Sequence, residues 1–119
     1  MEIKVTRMYT GSDGESHFEE TAIPLPADEE GFFKRSEPMK ATGIVFGELY
    51  NDKPHAWQNS PRRQLLITLS GEVEMKVADG SSRIFRPGDI LLAEDTTGRG
   101  HIRTRGKSGN HQAILIALE

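Results

Sequence analysis

The chain has 119 residues, enough for one hydrophobic core and too few for two. Its formal net charge of -3 comes from basic and acidic residues dispersed among one another, so the electrostatic footprint of a nucleic-acid or membrane-surface protein is missing. The absence of cysteine excludes disulfides, thiolate catalysis and cysteine-rich zinc sites.

No apolar run approaches a membrane span and the N-terminus carries no signal-like apolar region, so a cytoplasmic protein is the expectation. Twelve glycines and six prolines lie between short apolar runs, the habit of a chain that turns often. The first expected strand is Glu2 to Tyr9, followed by a Gly-Ser-Asp-Gly turn at Gly11 to Gly14 and a second extended stretch from His17 to Ile23. Pro24 to Lys40 holds three prolines and Gly31 among acidic residues and reads as a long surface loop, able to cover a site, whose Phe32 and Phe33 must pack somewhere. From Gly43 the rhythm is strand, turn, strand: Gly43 to Tyr50, Arg63 to Leu69, Glu72 to Val77, Ser82 to Phe85, Ile90 to Ala93, His101 to Arg105 and Gln112 to Leu118. Ser70-Gly71, Asp79-Gly80 and Pro87-Gly88-Asp89 supply the turn chemistry between them. The pattern predicts one all-β domain over residues 1–119, irregular in its N-terminal part (1–42), regular over a barrel core (43–119), and nearly free of helix.

Two segments carry a family signal. Gln64 to Gly80, with Gly71 closing the first strand, is followed by Arg86-Pro-Gly-Asp-Ile-Leu-Leu and a loop that ends at His101. Together these resemble the cupin superfamily over roughly half the chain, from His55 to Arg105. The resemblance implies an antiparallel jelly-roll β-barrel with a small-molecule site inside, commonly holding a divalent metal. This chain departs from the family's metal pattern, since Gln64 stands at the glutamate position and His55-Ala56-Trp57 replaces the histidine pair. Pro61-Arg62-Arg63-Gln64 and Glu94-Asp95-Thr96-Thr97-Gly98-Arg99-Gly100-His101 also match a set of small cupins for which no activity is implied.

Strand periodicity groups the candidate site residues. A period of two puts Arg62, Gln64, Leu66 and Thr68 on one face, and His101, Arg103 and Arg105 on another. Guanidinium groups at a barrel mouth match carboxylate or phosphate, so the expected ligand is a small anion bound by Arg62, Gln64, Trp57 and Arg103. His101 is the candidate catalytic residue, moving a proton near neutral pH with Glu48 or Tyr50 as partner and Arg62 stabilising developing charge. His55, Gln64 and His101 are the candidate metal ligands, for Zn, Fe, Mn or Ni, with His17 or His111 as outside candidates and a metal-free site as the alternative. His17 and His111 read as structural or exposed. The expected function is an enzyme acting on a small anionic metabolite, against a non-catalytic binding or sensor barrel, or a barrel that has lost its site. A homodimer through the N-terminal strands is expected, because an open jelly roll leaves edges that need cover.

Overall fold

The computed structural model describes residues 1–53 and 55–119. It has nine strands: β1 Glu2–Thr10, β2 Ser16–Pro24, β3 Ala41–Leu49, β4 Gln64–Ser70, β5 Val73–Lys76, β6 Ser82–Phe85, β7 Ile90–Glu94, β8 Ile102–Arg105 and β9 His111–Leu118. None of the described residues is helical, so no helix is long and apolar enough to cross a membrane.

The strands form two sheets, one of six strands in the order β2-β1-β7-β4-β9-β3 and one of three in the order β6-β5-β8. They face each other as a two-sheet β-sandwich. Met8, Leu66, Leu91, Ala93 and Ala113 from the large sheet pack against Val73, Met75, Val77 and Phe85 from the small one. Every pairing is antiparallel except β1 with β7, which run parallel from Thr6↔Leu91 to Tyr9↔Glu94. That exception places the N-terminal hairpin as an extension of the large sheet and leaves β1 inside it.

The alternation of β4 holds as the period requires: Leu66 and Thr68 are buried, Gln64 beside them is half-buried, and Leu69 is exposed. On β8 the register decides the facing. Arg105 lies opposite Val73 and Arg103 opposite Met75. Both partners are buried core residues, so both arginines project into the sandwich. Residues 55–58 run along the outer edge of β8, with the His55 amide donating to the Arg103 carbonyl and Gln58 exchanging backbone hydrogen bonds with His101. Gly100 makes this approach feasible, because its φ of 85° and the Gln58 carbonyl beside it leave no room for a Cβ.

The segment 25–40 differs from expectation. It leaves β2 at one corner of the six-stranded sheet and enters β3 at the diagonally opposite corner. Phe32 and Phe33 do not pack: they remain 88% and 58% exposed on a small hairpin closed by an Ala27↔Lys34 bridge. The Cα radius of gyration of 15.0 Å exceeds the roughly 13.5 Å of a compact chain of this length, as a projecting segment would cause.

Candidate functional site

Two polar clusters lie inside the sandwich. The first is closed. Asp95, just after β7 and fully buried, accepts hydrogen bonds from the Ser16 hydroxyl, the Ser60 hydroxyl and His101 Nδ1, each at 2.7 Å. The Ser60 amide also donates to the Asp95 carbonyl at 2.9 Å. Both serines bond the carboxylate and neither bonds the imidazole, so the trio lacks the nucleophile-to-base contact of a hydrolase triad. What the cluster does is join the start of β2, the segment before β4, the end of β7 and the start of β8. The adjoining motif residues reinforce the seam: Arg63 and Arg7 both bond Glu94, Asn59 donates to the Gly98 carbonyl, and Thr10 to the Thr97 carbonyl.

The second cluster is open. Between the large sheet and β8 lies a cavity of about 230 Å³ lined by Gly47, Glu48, Leu49, Leu66, Arg103, His111, Ala113 and Leu115. A wider mouth of about 420 Å³, lined by Tyr50, Asn51, Lys53, His55 and again Glu48, Leu49 and Arg103, adjoins it. Arg103 therefore stands at the neck. Its Nη2 lies 3.3 Å from His55 Nε2, and its Nε is buried with no hydrogen-bond partner among the described residues. Burial pushes the guanidinium below its ordinary pKa, yet an arginine keeps its proton across the physiological range. Among the described residues no carboxylate forms an ion pair with it, whereas Arg7, Arg63, Arg83, Arg86, Arg99 and Arg105 each have one.

His111 is buried on the wall of the inner cavity, with Nε2 3.0 Å from the hydroxyl of the buried Thr68. Burial first, and the charge of Arg103 second, hold its pKa below the ordinary histidine value. The ring is thus neutral at pH 7 and keeps one nitrogen as an acceptor. Arg105, deeper along β8, is tied to Asn110 Oδ1 at 2.6 Å and to Asp52 at 3.8 Å, so its charge is partly answered.

The residues singled out in the sequence divide between these places. Arg103 and His55 stand at the neck and mouth of the cavity. His101 faces inward but belongs to the Asp95 cluster and lines neither cavity. Gln64 sits between Ala93 and Ala117, in the row beyond Leu66, and also lines neither. Arg62 precedes β4 and is exposed, and Trp57 packs under the Arg99 guanidinium at 5.4 Å. Of the partners considered for His101, Glu48 accepts a hydrogen bond from Gln112 on the outer face of the large sheet and Tyr50 lies at the mouth. Sequence reasoning put Thr68 on one face with Gln64 and named His111 only as an outside metal candidate, giving neither a part in this cavity. The signal was present in the alternation of 111, 113, 115 and 117, extended by one residue at the start of β9.

The donor set does not suit a divalent cation. His55 Nε2 already faces a guanidinium, His101 Nδ1 is taken by Asp95, and the Asp95 carboxylate is held by three donors. A cation at this neck would meet the uncompensated charge of Arg103 at close range. Among the described residues, no three His, Cys, Asp or Glu side chains come together as a ligand group.

Comparison with known proteins adds the fold and stops there. No family model and no curated protein matches the chain. The crystal structure of protein NMB1881 from Neisseria meningitidis superposes with a TM-score of 0.51 at 19% identity, over 64% of this chain and 72% of that one. A crystal structure of a candidate ethanolamine utilization protein Q (EutQ) from Salmonella typhimurium LT2 aligns over 99% of this chain and 97% of that one, at a TM-score of 0.45 and 12% identity. At 19% identity the first likeness is one of fold alone, and what these strands and sheets amount to is a small all-β sandwich.

Proposed function

We propose that this chain is a small-molecule barrel of the cupin type that holds a small anion, in the first place a carboxylate, at Arg103. One observation supports this above the others: a half-buried guanidinium at the neck of a cavity, with its Nε buried and unpaired and no carboxylate partner among the described residues. Drawing an unpaired charge part-way out of water is unfavourable, so a fold that retains one gains from whatever neutralises it. Leu49, Leu66, Ala113 and Leu115 supply the apolar part of a lining that also includes Gly47, Glu48 and His111, so the anion's apolar portion is accommodated beyond its charged end. We read the Pro61-to-Gln64 and Glu94-to-His101 signatures as a structural seam of this barrel, since their residues bond to one another.

The test is thermal unfolding and calorimetric titration with acetate, succinate, a longer aliphatic carboxylate and inorganic phosphate. A ligand at about a hundred times its Kd stabilises by roughly 2.7 kcal/mol, a rise in Tm on the order of 10 °C for a chain of this size. The rise should vanish in Arg103→Leu. No response to any anion, or a response unchanged in that variant, would overturn the reading.

A catalytic role is a second reading with its own support. His111 is neutral and lines the same cavity, so it is placed to accept a proton from a ligand whose charged end Arg103 holds. If the barrel is an enzyme of this kind, His111→Gln retains anion binding and loses turnover; a barrel that only binds shows no turnover in either form.

A further inference from the structure

The cavity at Arg103 holds a second unanswered polar group, and it is not a charge. His111 lines the cavity from the start of β9, and its Nε2 lies 3.0 Å from the hydroxyl of Thr68 on β4. Both residues are buried. Thr68 is pinned by its backbone, which donates to the Asp89 carbonyl and accepts from the Gly88 amide, so the ring it holds has a fixed setting. The other ring nitrogen, Nδ1, makes no hydrogen bond among the described residues. Burial, and after it the charge of Arg103, depress the ring's pKa, so guanidinium and imidazole face one small space.

The two neutral tautomers leave opposite needs at Nδ1. Where Nε2 carries the proton it donates to Thr68, and Nδ1 is left as an acceptor; where the Thr68 hydroxyl donates to Nε2, Nδ1 is left as a donor. A ligand hydroxyl meets both needs, because it donates and accepts. A keto group meets only the second. An ammonium meets only the first and sets another positive charge beside Arg103. Glu48, the one acidic residue in the lining among the described residues, turns its carboxylate to Gln112 on the outer face and offers an ammonium nothing there.

Size narrows the choice further. The inner cavity of about 230 Å³ lies under the ~300 Å³ of the smallest ordinary ligand pockets. At ~30 Å³ for each water-sized atom it takes roughly seven non-hydrogen atoms. We infer that the ligand is a hydroxy acid of about four carbons, with its carboxylate on Arg103, its hydroxyl on His111 Nδ1 and its aliphatic part against Leu49, Leu66 and Leu115. This rests on the carboxylate reading of Arg103 and narrows it. A plain acid of the same length leaves Nδ1 without a partner, and a dicarboxylate sets a second anion against an apolar wall.

Calorimetric titration of the full chain with butyrate, α-hydroxybutyrate, β-hydroxybutyrate and α-aminobutyrate tests the inference. One of the hydroxy acids is expected to bind on the order of tenfold tighter than butyrate, the contribution of one added hydrogen bond. The amino acid should bind more weakly than butyrate. In His111→Phe the preference for the hydroxyl should disappear while butyrate still binds, and in Arg103→Leu all four should fail. A second measurement needs no substitution: the nitrogen NMR resonance of His111 Nδ1, followed at a pH where the ring is neutral, should move with the preferred hydroxy acid and much less with butyrate. Three results would overturn the inference and leave the carboxylate at Arg103 standing: butyrate binding as tightly as both hydroxy acids, the amino acid binding best, or an Nδ1 resonance indifferent to the hydroxyl. A preference that survives His111→Phe would do the same. Binding of none of the four acids to the unaltered chain would overturn both readings.

Discussion

The two buried polar clusters of this barrel share ingredients and differ in their hydrogen-bond balance. Around Asp95 every donor has found an acceptor: two serines and His101 surround one carboxylate, all at 2.7 Å. Around Arg103 the balance is short. Its Nε has no partner among the described residues, and the one side-chain hydrogen bond it makes among them is a 3.3 Å approach of Nη2 to His55. The first cluster spends its polarity on joining strands, and the second keeps polarity in reserve beside a cavity. A histidine on the inner wall of a barrel is thus not itself a sign of chemistry; what separates His101 from Arg103 is whether the neighbours already satisfy it.

That contrast can be broken by substitution. The largest effect should come from Asp95→Ala, which strands two hydroxyls and an imidazole in the interior; a loss of about 3–5 kcal/mol is expected, measured by urea unfolding. Arg103→Leu should act in the opposite sense. Removing an unpaired buried charge should leave the ligand-free chain as stable or more stable, by about 1 kcal/mol or above, while abolishing anion binding. A marked destabilisation by Arg103→Leu would mean that the guanidinium is structural after all. Ser16→Ala and Ser60→Ala should each cost about 1 kcal/mol, and together more than their sum if the carboxylate needs both.

The smallest expected effect is that of pH. His111 has a folded pKa below its unfolded value, so the unfolded chain binds the extra proton first as pH drops. Its contribution is fully present above about pH 6.5 and is lost as pH falls through the folded pKa. Comparing unfolding free energies of the unaltered chain and His111→Gln between pH 7.5 and 5 checks this: the difference between them should shrink toward the acid side.

Much of the fold was readable because it rests on local rules. The turns at Gly71, Gly80 and Gly88 all have the positive φ that their residue choice implies, and the nine strands begin and end within a residue or two of where alternation and turn chemistry put them. The parallel pairing of β1 with β7 was not readable, since nothing local encodes which edge a hairpin joins. The cavity was half readable. Alternation on β8 turns Arg103 inward, but His111 stood only as an outside metal candidate, because β9 was started one residue late, at Gln112. The role of His101 depended on Ser16 and Asp95, which lie 79 positions apart and meet only in the folded chain. Asp95 itself sits in a polar turn sequence that gives no hint of full burial.

The most direct test follows the His111 ring itself. Its Cε1 proton, tracked by NMR across pH, should give a pKa below the ordinary histidine value in the free chain, and a higher one once an anion neutralises Arg103. An ordinary pKa in the free chain, or one that saturating anion leaves unmoved, would contradict the account of Arg103 as an unanswered charge at the neck of the cavity.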